Sequence, residues 1–169
     1  MFASLFSIAS LMLSTFLMMV GYGLMNYLVP VRAVAEGWSP LLISLIATGY
    51  TVGFTLSCIV TPTLVLRVGH VRVFGALITL LTAAILASSL MVEWQVWVAL
   101  RAVAGFAVAG CYLVIESWLN ERVTNETRGS MFSVYMIVTF GGAIAGQYLV
   151  PLGDPRTTTL FIVCGILFA

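Results

Sequence analysis

Charged residues divide this chain at intervals that suit helices crossing a lipid bilayer. No Asp, Glu, Lys or Arg occurs in residues 1–31, 37–66, 73–92, 129–153 or 157–169, and the stretch 94–118 is interrupted only by Arg101 and Glu116. A hydrocarbon core about 30 Å thick needs roughly 20 apolar residues as helix. The pattern predicts six segments: 4–30, 41–64, 73–92, 95–118, 129–150 and 158–169. From Thr157 to Ala169 there are 13 residues, about 20 Å of helix, so the sixth segment is expected to be incomplete and the sequence a fragment. The first stretch lacks a positive n-region and exceeds the apolar core of an export signal, so it reads as a retained helix.

Composition agrees: 62% of residues are hydrophobic, 8% are charged and the mean hydropathy is +1.14, values foreign to a soluble domain. With a net charge of +1 and all seven basic residues arginine, there is no basic face for nucleic acid. Cys58, Cys111 and Cys164 all fall inside segments and read as small apolar packers. If the first residue is cytoplasmic, Arg67, Arg72, Arg122 and Arg128 lie inside and Arg32 and Arg156 outside, a positive-inside bias. Trp38, Trp94, Trp97 and Trp118 stand near segment ends, where indole rings anchor to headgroups. Short connections, apart from 119–128, predict that consecutive helices pack antiparallel as neighbours.

Small residues recur every four positions: Gly49, Gly53 and Ser57; Gly75, Thr79, Ala83 and Ala87; Gly142 and Gly146. Each stripe predicts a face for close helix packing in lipid. A faint echo, Gly53 with Pro62 and Gly142 with Pro151, has the form an inverted three-helix repeat would give.

Arg101 lies about 10 Å into the fourth segment. An arginine at bilayer centre costs about 2.5–3.5 kcal/mol, so it should face protein or water, the plain alternative being that it snorkels to the nearer surface. Arg101, Gly105, Val108, Tyr112 and Glu116 share one helix face. Glu116 is too far along to pair with Arg101. It is expected either to pair with Arg67, Arg72, Arg122 or Arg128 near the cytoplasmic end, or to act as a buried carboxylate that takes up and releases protons. Thr15, Tyr22 and Asn26 share a face of the first segment, and Tyr135 and Gln147 lie on the fifth; such groups bond across helices or line a path. His70 reads as a solvated or interfacial loop residue, and a lone histidine builds no metal site.

These residues resemble a known family. Asn26-Tyr27-Leu28-Val29-Pro30 closing the first helix, Arg67-Val68-Gly69-His70-Val71-Arg72 between the second and third, Arg101 with Gly105, and Glu116-Ser117-Trp118-Leu119-Asn120-Glu121 leading to Arg128-Gly129 together resemble the amino-terminal half of a major facilitator superfamily transporter, closest to a bacterial drug-exporter-like branch. The resemblance implies an all-α integral membrane fold: a six-helix bundle that is half of a twelve-helix carrier, with the sixth helix truncated and the carboxy-terminal half absent. It also implies a cytoplasmic latch in the loop after the second helix. Arg67, Gly69 and Arg72 match that latch, whereas Leu66 stands at its acidic position and Pro62 at its first glycine, leaving Glu121 or Glu116 as substitutes. Arg101 matches the fourth-helix arginine linked in many members to proton coupling. Gly146-Gln147 lacks the glycine-proline of antiporters.

The expected function is therefore secondary transport of a small organic solute, coupled to protons, across a bacterial inner membrane, with the N-terminus cytoplasmic. Arg101, Tyr112, Asn26, Gln147 and Tyr22 would form the substrate or ion pathway. Arg67, Gly69, Arg72, Glu116, Glu121 and Arg128 would form a cytoplasmic gate. Expected partners are the solute, protons, the lipid bilayer and the other half, with no cofactor. A facilitator or a non-transporting receptor or assembly protein on the same fold is the alternative. A channel would need a selectivity element, and an intramembrane enzyme a nucleophile and base at one depth.

Overall fold

A computed structural model of the chain describes the backbone of residues 2–169 and side chains from residue 9 onward. Every regular element described is helical: α1 (Phe2–Ala35), α2 (Pro40–Val68), α3 (His70–Leu90), α4 (Trp94–Arg122), α5 (Arg128–Gln147) and α6 (Thr159–Phe168), with a 3₁₀ turn at Val150–Leu152. The first five are long and apolar enough to cross a membrane, and α6 is a shorter apolar helix.

The helices outrun the charge-free stretches because a charged residue ends a membrane span without ending a helix. Pro30 lies inside α1, which continues to Ala35 and turns at Gly37 with φ 74°; Pro62 likewise lies inside α2. A proline removes one i→i−4 bond and need not end a helix supported by neighbours in lipid. Ser39 caps α2, with Pro40 as its first residue. The connection between α2 and α3 is the single residue Gly69, at φ 90°. His70 is accordingly the first residue of α3 and not part of a loop.

Packing follows chain order only for α3 with α4, and small residues form the α2–α4 and α1–α5 seams. The principal pairs are α2 with α4, α1 with α5, α3 with α4, and α6 against both α3 and α1, whereas α1 and α2, consecutive and closely connected, barely touch. At the α2–α4 seam, a Cβ on Gly53 would collide with the Ala102 carbonyl, and one on Gly105 with the Tyr50 carbonyl. At the α1–α5 seam, Gly23 meets the Ala143 backbone and Gly146 the Val20 backbone in the same way. Such contacts let backbones approach where lipid gives apolar side chains no reason to associate. The third predicted stripe behaves differently. Gly75, Thr79 and Ala83 are exposed, and α3 buries Val73, Leu77, Leu81, Ala84, Ile85 and Ser88 instead.

Trp97 is no headgroup anchor. It is 1% exposed, donates its indole N–H to the carbonyls of Ser88 (3.1 Å) and Met91 (2.9 Å), and meets Trp38 edge-on with ring centres 5.0 Å apart. It plugs the end of the bundle where α3 gives way to α4. Cys111 and Cys164 are buried packers, but Cys58 is exposed. On the outer face of α2, Ser44, Thr48, Thr51 and Thr55 each donate to the carbonyl four residues earlier. That end of the bundle is tied by Arg32, which pairs with Glu36 (2.7 Å) and donates to the Pro155 carbonyl (3.0 Å).

Replacing Gly53 with alanine should destabilise the detergent-solubilised protein by about 1–3 kcal/mol through overpacking. Gly75→Ala, where an added Cβ meets nothing within 4 Å, should leave stability unchanged or slightly raised. Equal unfolding temperatures for the two variants would contradict the seam.

Candidate functional site

The polar face of α4 meets α1, α2 and α5 along its length. Arg101 is 8% exposed. It donates from Nη2 to Asn26 Oδ1 of α1 at 3.0 Å, and its guanidinium lies 4.6 Å from the ring centre of Tyr50 on α2. One turn on, Gly105 lies against the Tyr50 backbone. Tyr112 donates to the Met19 sulfur of α1 at 2.9 Å and meets Tyr22 edge-on, ring centres 6.2 Å apart. Glu116 Oε1 accepts from the Tyr135 hydroxyl of α5 at 3.2 Å.

Arg101 is held without a counter-charge. Ion pairs among the described residues are Arg32 with Glu36 and the contact of His70 with Glu121. Arg101 Nε and Nη1 are buried with no hydrogen-bond partner. Leaving a buried donor unmet costs about 1–3 kcal/mol, more for a charged group. Beside it, Asn26, Val29, Pro30, Ala33, Ile46 and Arg101 help line a crevice of about 120 Å³ between α1 and α2. Pro30 has no N–H to give the carbonyl four residues earlier, that of Asn26.

The other expected pathway residue, Gln147, does not join this group. It ends α5 and is exposed. Thr15 is buried with its hydroxyl bonded to the Leu11 carbonyl, so it faces no path. Two residues of the site lay outside the expected set. Tyr50 sits between Gly49 and Gly53, and that neighbourhood was the signal that its ring stands at a close helix crossing. Tyr135 shows in the sequence only as a polar group on the fifth helix.

At the opposite end of α4, the residues expected to form a gate are only partly assembled. Glu116 pairs with none of the four arginines, because it faces α5 while Arg67 and Arg72 are exposed at the α2–α3 corner. Arg122 instead stacks on Trp118 at 4.1 Å, and Arg128 donates to Asn120. At this end a polar contact between α3 and α4 is made by His70. Its Nε2 lies 3.0 Å from Ser117 Oγ and 3.6 Å from Glu121 Oε1. The sharp turn at Gly69 points this side chain inward. A groove of about 350 Å³ adjoins it, lined by Leu11, Ser14, His70, Phe74, Ile115 and Trp118 among others.

A family model described as Major Facilitator Superfamily matches residues 11–169. Curated relatives called uncharacterized MFS-type transporter YcaD, from Escherichia coli O45:K1 (strain S88 / ExPEC), O139:H28 (strain E24377A / ETEC) and O9:H4 (strain HS), are each 29% identical over 134 residues. The match covers 79% of this chain and 35% of each relative, so the chain spans about a third of their length. No solved structure matches it. A family match over nearly the whole chain, together with five helices of membrane-crossing length around one inward-facing arginine, places this protein in the Major Facilitator Superfamily.

Proposed function

We propose that the chain is the amino-terminal half of a twelve-helix secondary transporter that moves a small organic solute by alternating access, coupled to protons, in a bacterial inner membrane with its N-terminus cytoplasmic. The observation that carries this reading is the buried, unpaired guanidinium of Arg101 beside a crevice. A cation in a hydrocarbon interior is expensive and marks a substrate or ion path. The reading makes the protein a carrier and assigns it no catalytic residue.

The proposal of a second half draws support from the relatives, of which the chain spans about a third, and from the groove beside His70. Helix α6 runs antiparallel to α1, with Leu167 and Phe168 against Gly21 and Gly165 against Leu86 of α3. Ser14 and Phe74, in the groove wall, lie roughly 10 and 18 Å farther along those two helices at 1.5 Å per residue. The groove is thus in line with α6, as a further length of helix would require.

In this mechanism the solute binds near midplane between the halves, which rock about it. Arg101 and Asn26 face the solute, with Tyr22 and Tyr112 farther along the same interior. Gln147, exposed on α5, faces the second half. Glu116 with Tyr135 is the carboxylate available for proton uptake. At the cytoplasmic end, His70, Ser117 and Glu121 hold α3 to α4, and Gly69 makes the tight corner. Arg67, Arg72 and Arg128 present charge to the opposing half when that side closes.

Arg101→Leu should lower saturable solute uptake and counterflow in proteoliposomes at least tenfold. Glu116→Gln should flatten the dependence of uptake on an imposed pH gradient while sparing exchange. Unchanged uptake and unchanged pH response in both variants would refute the proposed roles. For orientation, a cysteine at Asn125 should react with an impermeant maleimide only from the cytoplasmic side and one at Thr157 only from outside; the reverse pattern would invert the assignment.

A further inference from the structure

The chemistry of the Arg101 crevice points to a class of ligand. Its polar side chains are one arginine and one asparagine, and the rest of its lining is Val29, Pro30, Ala33, Ile43, Ile46 and Ala47. Tyr50 covers one face of the guanidinium, and Arg101 itself is part of the crevice lining. Asn26 already accepts from Nη2. The Nε and Nη1 hydrogens have no acceptor. An amide oxygen can satisfy one N–H but cannot neutralise the charge.

We infer that the crevice between α1 and α2 binds the carboxylate of a small monoanionic organic solute, with Arg101 as its charge partner and the aliphatic walls enclosing its carbon body. A planar fork of donors matches a carboxylate bidentately, and the pair strengthens away from water. A phosphate or other dianion fits poorly, because a single cation faces the space and every other side chain lining it except Asn26 is apolar. A neutral solute would leave the cation uncompensated. The volume, about 120 Å³, far exceeds the roughly 10–15 Å³ that one water requires, so a short-chain carboxylate has room. The inference rests on the transporter reading for its meaning, since the bound anion would be the cargo, but its test is separate.

The test is thermal unfolding of the purified protein in detergent with sodium propionate, against propionamide and against sodium chloride at equal ionic strength. Propionate should raise the midpoint saturably, and propionamide and chloride should not. Arg101→Gln should raise the half-saturating propionate concentration at least tenfold. Ala47→Phe, which narrows the crevice from the α2 wall and leaves the cation in place, should do the same, so the inference stays testable if the arginine variant does not fold. Equal responses to propionate and propionamide, a chloride response as large as the propionate one, or no response at all would overturn the inference. The last result would follow if another part of the protein already supplies the counter-charge. Binding without counterflow in proteoliposomes would defeat the transport reading alone. Counterflow of neutral solutes without carboxylate binding would defeat this inference alone.

Discussion

Backbone contact between α2 and α4 is the constraint on which the rest of this bundle depends. Apolar side chains in hydrocarbon gain little by hiding behind one another, so association relies on close fit and on polar groups that find partners. Gly53 against the Ala102 carbonyl and Gly105 against the Tyr50 carbonyl supply that fit. The same crossing fixes the chemistry, because the residue that Gly105 touches is the one whose ring lies over the guanidinium of Arg101. A larger residue at position 105 would displace Tyr50 and with it one wall of the cation's surroundings.

From that crossing, polar groups continue along α4 and find partners on three helices: Asn26 and Met19 on α1, Tyr50 on α2, Tyr135 on α5. The two charges at its ends are unlike in their support. Glu116 has a hydroxyl donor and stands near the end of the helix, whereas Arg101 has one amide acceptor and a ring face. Fifteen residues separate them, roughly 22 Å of helix, so neither compensates the other. Any movement that brought an anion to Arg101 would change the energy of that end of the bundle without disturbing Glu116 directly.

Much of this was legible in the sequence. Absence of charge over long stretches identifies membrane helices almost irrespective of tertiary context, and Arg101 declared itself by its cost. Two of the three small-residue stripes proved to be seams. The third, Gly75-Thr79-Ala83, faces outward, and nothing in its spacing distinguishes it from the α1–α5 seam, because spacing gives a face but not what lies opposite. Partners were illegible for the same reason. The sequence leaves Glu116 open between an arginine partner and a buried carboxylate, and it meets Tyr135; His70 reads as a loop residue, and a single left-handed glycine turns it toward Ser117. Nearness to a segment end does not put Trp97 among headgroups, because its indole N–H satisfies two carbonyls within the protein.

The hydroxyl row on the outer side of α2 has a consequence for motion. Ser44, Thr48, Thr51 and Thr55 return their hydrogens to their own helix, so this surface makes no hydrogen-bonding demand on whatever adjoins it. Acyl chains, water or another protein surface can succeed one another there without any bond being broken. Such a face behaves as a dry bearing, able to slip past a neighbour with little preference for one register over the next.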